Sequence, residues 1–108
     1  MRSSADFAAV TRRGRRTRCG DLVVYLSTAA EARDTLVGLV VGKSVGPSVV
    51  RHRVARRLRA QLAARLDQVP VGARVVVRAL PESADRASVE LGRDLDRALQ
   101  RLSGGVRP

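Results

Sequence analysis

The sequence predicts an α/β fold, a small α+β two-layer sandwich with the element order α-β-β-α-β-α. Branched aliphatic runs of strand length alternate with longer segments whose apolar residues recur every three or four positions. The 108 residues are enough for one domain and leave little room for a second. The chain is 44% hydrophobic but has one Phe and one Tyr, so its core must be aliphatic.

The N-terminal half predicts a helix, a basic turn and two strands. Ser3 is a suitable N-cap residue, and Phe7 and Val10 fall on one side of the helix. The segment TRRGRRTRCG then predicts a basic turn closed by glycines. Strands are predicted at residues 21–27 and 36–41, and we expect them to be antiparallel neighbours because one polar loop joins them.

A long helix with two different faces is predicted next. Pro47 suits the first helical position, and the helix runs to about Leu66. Apolar residues step by four along one face, namely Val50, Val54, Leu58 and Leu62. The opposite face carries the basic side chains Arg59, His52, Arg56, Arg53 and Arg57. Arg51 is the exception, because it projects close to the apolar stripe.

A third strand and a final helix complete the predicted sandwich. Residues 73–81 predict the strand, and Ser83 is interpreted as the cap of a helix that runs to about Leu102. Its apolar stripe comprises Ala84, Ala87, Leu91, Leu95, Ala98, Leu99 and Leu102. The outer face mixes signs, with Asp94 and Arg97 at helical spacing, which predicts a solvated structural helix. We expect residues 103–108 to fray.

The charge distribution indicates a polyanionic partner. The chain has 21 Lys+Arg against 10 Asp+Glu, a formal net charge of +11. Residues 1–66 hold fourteen basic and four acidic residues, and no acidic residue occurs between Asp34 and Asp67. The positive charge therefore belongs to one face. A membrane surface fits less well, because the apolar stripe of the basic helix lacks aromatics and is needed for the core.

Several classes of protein are excluded by what the sequence lacks. The N-terminus has no apolar h-region, and the longest apolar run is too short to span a bilayer. Cys19 cannot form an internal disulfide, and with His52 it falls short of a structural zinc site. The Gly-Lys-Ser segment at residue 42 lacks the spacing of a phosphate-binding loop. We expect a cytoplasmic protein without a nucleotide cofactor, and no catalytic or metal-binding residues in this chain.

The strongest motif is the segment Val41–Arg59, VGKSVGPSVVRHRVARRLR. A glycine-punctuated loop carries Lys43 into a helix N-terminus, and arginines crowd one helix face. Phosphates favour all three features, because helix N-termini bind anions and guanidinium groups match phosphate oxygens. The alternative, a merely solvated basic face, is disfavoured by the absence of acidic residues from this part of the chain.

This segment resembles the protein subunit of bacterial ribonuclease P. The signature of that family reads approximately V-S-K-K-V-G-x-A-V-x-R-N-R-x-K-R, where this chain has V-G-K-S-V-G-P-S-V-V-R-H-R-V-A-R. The matching positions are Val41, Lys43, Val45, Gly46, Val49, Arg51, Arg53 and Arg56. Phe7, Val10 and Gly14 are similar to an F-x-x-V-x-x-x-G opening, and the resemblance extends over nearly the whole chain.

The resemblance implies an α-β sandwich with a left-handed βαβ crossover, forming a single RNA-binding domain over residues 1–108. It implies maturation of tRNA 5′ ends, in which the RNA subunit and its Mg²⁺ perform the hydrolysis. Mg²⁺ is therefore expected on the RNA subunit and the substrate rather than on protein ligands. The partners implied are the catalytic RNA and a precursor tRNA with its 5′ leader.

The resemblance also implies two sets of RNA-binding residues. The set expected to bind the catalytic RNA comprises Lys43, Ser44, Arg51, His52, Arg53, Arg56, Arg57 and Arg59. The set expected to hold the leader, in a cleft between the N-terminal helix and the sheet, comprises Phe7, Val10, Thr11, Arg12, Arg13, Arg15, Arg16 and Tyr25. The arginines of the second set are included for their charge rather than for a motif.

Four positions depart from the family pattern. His52 replaces an Asn, Ala55 replaces a Lys, Ser44 stands where a second Lys is common, and Thr11 where a second aromatic is common. These departures predict fewer phosphate contacts and less stacking surface. Two alternatives stay open: a structural RNA-binding protein such as a ribosomal component, and a stand-alone nuclease that uses His52.

Overall fold

The computed structural model describes residues 15–28, 35–69 and 72–104. The described strands are β1 (Arg15–Cys19), β2 (Leu22–Thr28), β3 (Leu36–Val40) and β4 (Ala73–Ala79). The helices are α1 (Ser48–Ala63) and α2 (Ser88–Gly104), with short 3-10 segments at Lys43–Val45, Leu66–Gln68 and Pro81–Asp85. The mixed α+β class is confirmed. The predicted N-terminal helix and residues 105–108 lie outside the described residues.

The predicted basic turn is wrong in its second half, because residues 15–19 form strand β1. This strand pairs with β2 in antiparallel register, with Cys19 opposite Leu22. Gly20 and Asp21 form the two-residue connection, and Gly20 has a φ of 59°. A glycine of positive φ at the first turn position is typical of the tight hairpin turns that match strand twist. The arginine-rich composition of β1 had masked its strand character.

The strand order in the sheet is β1-β2-β4-β3. The predicted pairing of residues 21–27 with 36–41 is therefore wrong, because β4 lies between β2 and β3. β4 runs antiparallel to β2 and parallel to β3, so β3, α1 and β4 form a βαβ unit. A parallel pair needs a long crossover, and α1 supplies it. The left-handedness expected for this crossover stays a prediction.

Both helices cover one face of the sheet. Residues that alternate along β2 and β4 meet the predicted apolar stripes of the helices there, which confirms those stripes in outline. The fully buried side chains of this core include Leu22, Val24, Val54, Leu58, Val75, Val77, Leu91 and Leu95. Ala87, which was placed in the stripe of the last helix, is exposed.

The helix boundaries differ from prediction at three ends. α1 begins at Ser48, with Pro47 as its N-cap residue, and it ends at Ala63, short of Leu66. α2 begins at Ser88 rather than after Ser83, because Pro81–Asp85 forms a separate 3-10 segment. Ser83 is fully buried and caps nothing. The Glu90 carboxylate instead accepts a hydrogen bond of 3.0 Å from the Ala87 N–H at the start of α2.

Asp94 does not belong to the solvated outer face of α2. It is 7% exposed and lies against the hairpin turn, where a Cβ on Gly20 would collide with its carboxylate. The sequence pattern had grouped Asp94 with Arg97 as an exposed pair. Packing of α2 on β1 separates them, since it turns the acid inward and leaves the arginine exposed.

Candidate nucleic-acid interface

In the loop before α1, one residue is buried in the core and the residues before it are exposed to solvent. Val45 is buried in the core, whereas Gly42, Lys43 and Ser44 are exposed. Gly46 turns the chain into the helix with a φ of 150°, a value that L side chains rarely adopt. The Lys43 ammonium group is therefore presented to solvent by a fixed turn.

The N-terminus of α1 is left open to a ligand. The first intrahelical hydrogen bond joins the Arg51 N–H to the Pro47 carbonyl at 3.0 Å, so the three preceding N–H groups have no helical acceptor. Among the described residues no side chain caps this end, and the first turn contains no acidic residue. The exposed amides and the positive end of the helix dipole favour an anion.

The basic residues of α1 divide into a free group and a supported group. His52, Arg56 and Arg59 are exposed, and within the described part of the chain they make no hydrogen bond or ion pair. Arg53 and Arg57 are half-buried and donate to the Ala84 carbonyl at 3.4 Å and the Arg86 carbonyl at 2.7 Å. The loop and helix thus carry all eight residues predicted to contact a catalytic RNA, of which Lys43, Ser44, His52, Arg56 and Arg59 are exposed.

Arg51 lies where the sequence placed it, beside the apolar stripe. It is half-buried, and its Nε is buried without a hydrogen-bond partner among the described residues. A guanidinium nitrogen in that state is costly unless a ligand or solvent supplies an acceptor.

A second basic surface lies on the sheet face opposite the helices. Tyr25 is buried there against Val76 and Val23. The pairing places Arg16 beside Tyr25 on β1, and it places Arg18 and Arg78 on the two strands that flank Val23. A cleft of about 410 Å³ opens at this point, lined by Arg16, Thr17, Arg18, Val23, Tyr25, Arg78 and Leu80. No carboxylate is among these lining residues.

The predicted leader-binding residues are only partly brought together. Arg16 and Tyr25 line the cleft, but Arg15 lies on the helix side of the sheet because successive strand residues alternate. Its Nη1 donates a 2.7 Å hydrogen bond to the Leu102 carbonyl near the end of α2. The remaining members lie outside the described residues: Phe7, Val10, Thr11, Arg12 and Arg13.

Sequence reasoning missed Arg18 and Arg78. The signal for Arg78 was present, since it alternates with Val76 and Arg74 along the predicted strand and so shares their face. Arg18 could have been found from the Gly-Asp pair that follows Cys19, because that pair between two alternating segments is typical of a hairpin.

Three acids near these surfaces are engaged with other groups. Asp21 accepts a 2.5 Å hydrogen bond from Arg86, which raises the pKa of that guanidinium. The Ala87 N–H, with Arg86 adding to it, lowers the pKa of Glu90. Arg65 binds Asp96 at 2.6 Å and lowers the pKa of that carboxyl. Glu82 and Asp85 differ, because they lie exposed in the 3-10 segment beside the loop and α1 and make no ion pair with the described residues.

The described residues hold neither a metal-binding cluster nor a membrane-spanning helix. These contain no group of three or more His, Cys, Asp or Glu side chains placed to hold a metal ion. No helix in the same ranges is both long enough and apolar enough to cross a membrane. Cys19 is buried in the core.

The fold is shared with solved bacterial proteins. A structure of the Staphylococcus aureus RNase P protein superposes with a TM-score of 0.83 at 21% sequence identity, covering 94% of this chain and 92% of that one. The RNase P protein of Thermotoga maritima gives a TM-score of 0.81 at 19% identity, with 94% of each chain covered. At such low identity the likeness concerns the fold alone.

The sequence relatives are more similar. The ribonuclease P protein component of Acidothermus cellulolyticus is 50% identical over 104 residues, which cover 95% of this chain and 87% of that protein. That of Streptomyces bikiniensis is 48% identical over 113 residues, covering 97% and 92%. The family model described as Ribonuclease P matches residues 1–103. On this match and these identities, the chain belongs to the ribonuclease P protein family.

Proposed function

We propose that this chain is the protein subunit of ribonuclease P, the ribonucleoprotein endonuclease that removes the 5′ leader from precursor tRNA. Family membership supports a subunit of an endoribonuclease that processes tRNA. The observation that carries the proposal further is the joined loop and helix of residues 43–59, where a helix N-terminus without a side-chain cap among the described residues is followed by the exposed guanidinium groups of Arg56 and Arg59.

The catalytic RNA binds this loop and helix. Its phosphates receive hydrogen bonds from Lys43 and from the amides at the start of α1, while Arg56 and Arg59 supply exposed guanidinium groups. Arg53 and Arg57 keep part of their donor capacity, since each guanidinium has five N–H groups and gives only one bond to a carbonyl. His52, Ser44 and Arg51 complete the contact surface.

The 5′ leader binds the cleft on the open sheet face. Arg16, Arg18 and Arg78 line it and bind leader phosphates, and the largely buried Tyr25 is the aromatic residue of its lining. Base stacking on an aromatic side chain contributes about 1–3 kcal/mol in single-strand binding proteins. The resemblance assigns Phe7, Val10, Thr11, Arg12 and Arg13 to the same site. Arg15, on the other sheet face, supports α2 instead.

Hydrolysis takes place on the RNA subunit, with Mg²⁺ held by RNA and substrate. The protein's contribution is to bind and orient the two RNAs and to screen their mutual repulsion. The arrangement of the described carboxylates supports this division, because Asp21 and Asp96 are bound to arginines. His52 lies among guanidinium groups on the RNA-facing side of α1.

The test is precursor-tRNA cleavage at limiting Mg²⁺, comparing catalytic RNA alone, protein alone and the mixture. We expect efficient 5′ cleavage only in the mixture. No enhancement by folded protein contradicts the proposal and favours a structural RNA-binding role. Cleavage by the protein alone, lost in His52→Ala, assigns the chemistry to this chain instead.

A further inference from the structure

The outer face of α2 carries a row of arginines that the function above does not use. Arg93, Arg97 and Arg101 are spaced four residues apart and all are exposed. At 1.5 Å rise per residue the row spans about 12 Å along the helix. Within the described residues, Arg93 and Arg97 make no hydrogen bond or ion pair. We call these three residues the α2 arginine row.

The carboxylates of α2 neutralise this row only in part. Asp96 is bound at 2.6 Å by Arg65, which follows α1, and Glu90 accepts from Arg86 at 3.4 Å and from the Ala87 N–H. The nearby charge of Arg93 also contributes to lowering the pKa of Glu90. Asp94 is buried against the hairpin turn. The exposed arginines of the row therefore keep most of their charge for a ligand.

The row is continuous with the cleft across the edge of the sheet. Arg101 Nη1 donates to the Arg18 carbonyl at 3.2 Å and to Thr17 Oγ1 at 3.4 Å. Thr17 and Arg18 belong to edge strand β1, and both line the cleft on the other face. Arg15 adds a second link, because it donates to the Leu102 carbonyl. A chain leaving the cleft over β1 would thus meet the α2 arginine row.

We propose that the α2 arginine row binds the phosphodiester backbone of leader nucleotides that extend beyond the cleft. This inference rests on the proposed function. Exposed guanidinium groups in a row match a flexible polyanion, because Arg93 and Arg97 can each bind a phosphate bidentately without breaking an internal hydrogen bond. Continuity with the cleft favours the leader over the catalytic RNA, whose contact surface lies on α1.

The experiment uses the reconstituted holoenzyme with the double variant Arg93→Gln, Arg97→Gln, which keeps the Arg101 contacts with β1. One substrate carries a leader of about three nucleotides and the other a leader of about twelve. Only the longer leader exceeds the smallest single-strand binding sites, which cover about four nucleotides. We expect about three- to tenfold weaker binding of the long-leader substrate and a log–log salt slope shallower by about 1.4, from two lost phosphate contacts. The short-leader substrate and mature tRNA should bind as to the wild type.

Two controls define the outcome. Arg93→Lys with Arg97→Lys keeps the charge and should restore most of the long-leader affinity. Leu66→Glu with Ala87→Glu lowers the net charge equally, at exposed positions outside the basic face of α1 and the α2 arginine row, and should not discriminate by leader length. Equal losses for both leaders overturn the proposal, and weakened assembly with the catalytic RNA reassigns the row to that RNA. If the wild-type protein does not stimulate cleavage, the proposed function is contradicted. If the wild-type protein stimulates cleavage but the double variant binds both leaders as the wild type does, only the role of the α2 arginine row is contradicted.

Discussion

Gly20 shows how one residue controls the hairpin that builds the cleft. Its φ of 59° disfavours any L side chain, and an added Cβ would collide with the Asp94 carboxylate. We expect Gly20→Ala to lower the free energy of unfolding by about 1–3 kcal/mol, measured by urea denaturation. Gly42→Ala is the control, because its Cβ meets nothing within 4 Å and its φ is −84°. That substitution should be neutral or stabilise by up to about 1 kcal/mol. Equal effects at both glycines would contradict this account.

Substitution by alanine should affect the free energy of unfolding differently at two serines, Ser83 and Ser88. Ser83 is fully buried, and its hydroxyl has no hydrogen-bond partner among the described residues. Ser83→Ala should therefore be neutral or raise the free energy of unfolding by about 1 kcal/mol. Ser88 accepts a 2.8 Å hydrogen bond from Gln61, so Ser88→Ala should cost about 1 kcal/mol. Thermal melts of both variants decide the point; a destabilised Ser83→Ala would mean that its hydroxyl has a partner.

At the scale of residues, the sequence predicted burial correctly where the helical spacing of the residues and their apolar character agreed. Val54, Leu58 and Leu62 are buried as the four-residue step required. Asp94 could not be placed, because its helical position is compatible with either an exposed face or a contact with the hairpin. Only the docking of α2 on β1 decides between them.

At the scale of elements, α1 and α2 are joined by a polar contact at one end. Arg65 donates to both Asp96 oxygens, at 2.6 and 3.2 Å, and also to the Gln61 side chain. Because this lowers the pKa of Asp96 below its ordinary 3.8, its ionised form stabilises the fold above that pH. The contribution is then lost as the pH falls through the lower, folded-state pKa.

We therefore expect the stability difference between the wild type and Asp96→Asn to be constant near neutral pH and to shrink below about pH 4. Urea denaturation across this range measures it, with Arg65→Gln as the matched variant that removes the other partner. The coupling free energy of the double-mutant cycle should vanish at low pH. A coupling that persists unchanged at low pH would show that the contact between Arg65 and Asp96 does not depend on the charge of the carboxylate.

The elements were predicted where aliphatic residues dominate and missed where they do not. β2, β3 and β4 follow from branched aliphatic runs. β1 has only Thr17 and Cys19 on its inward face besides Arg15, so its strand state depends on pairing with β2 rather than on its own composition. The strand order was also inaccessible, because adjacency in sequence favours neighbours, whereas β4 inserts between β2 and β3.

For the whole molecule, the charge asymmetry should appear as a steep salt dependence. If about six phosphates are neutralised by the α1 surface, the log–log slope of catalytic-RNA affinity against salt should be near −4 to −5. Arg56→Gln with Arg59→Gln should make the slope shallower by about 1.4–1.8, since both groups are free in the folded protein. Leu66→Glu with Ala87→Glu, at exposed positions off the basic face of α1, serves as the charge-matched control in the same filter-binding titrations. If the arginine variant and the control variant change the slope equally, the RNA is attracted nonspecifically by the net charge of the protein.

In the chain, α1 lies between the parallel strands β3 and β4, and it packs on the sheet that contains them. This position has a thermodynamic consequence. Since Val54, Leu58 and Leu62 of α1 share one core with the inward side chains of β2 and β4, unfolding that helix exposes the packed face of the sheet as well. A ligand that binds folded α1 and not the unfolded chain therefore stabilises the entire domain by mass action, by about 2.7 kcal/mol at a concentration of about 100 Kd. In a cell rich in its partner RNA, the lifetime of this protein against proteolysis is expected to follow the supply of that RNA.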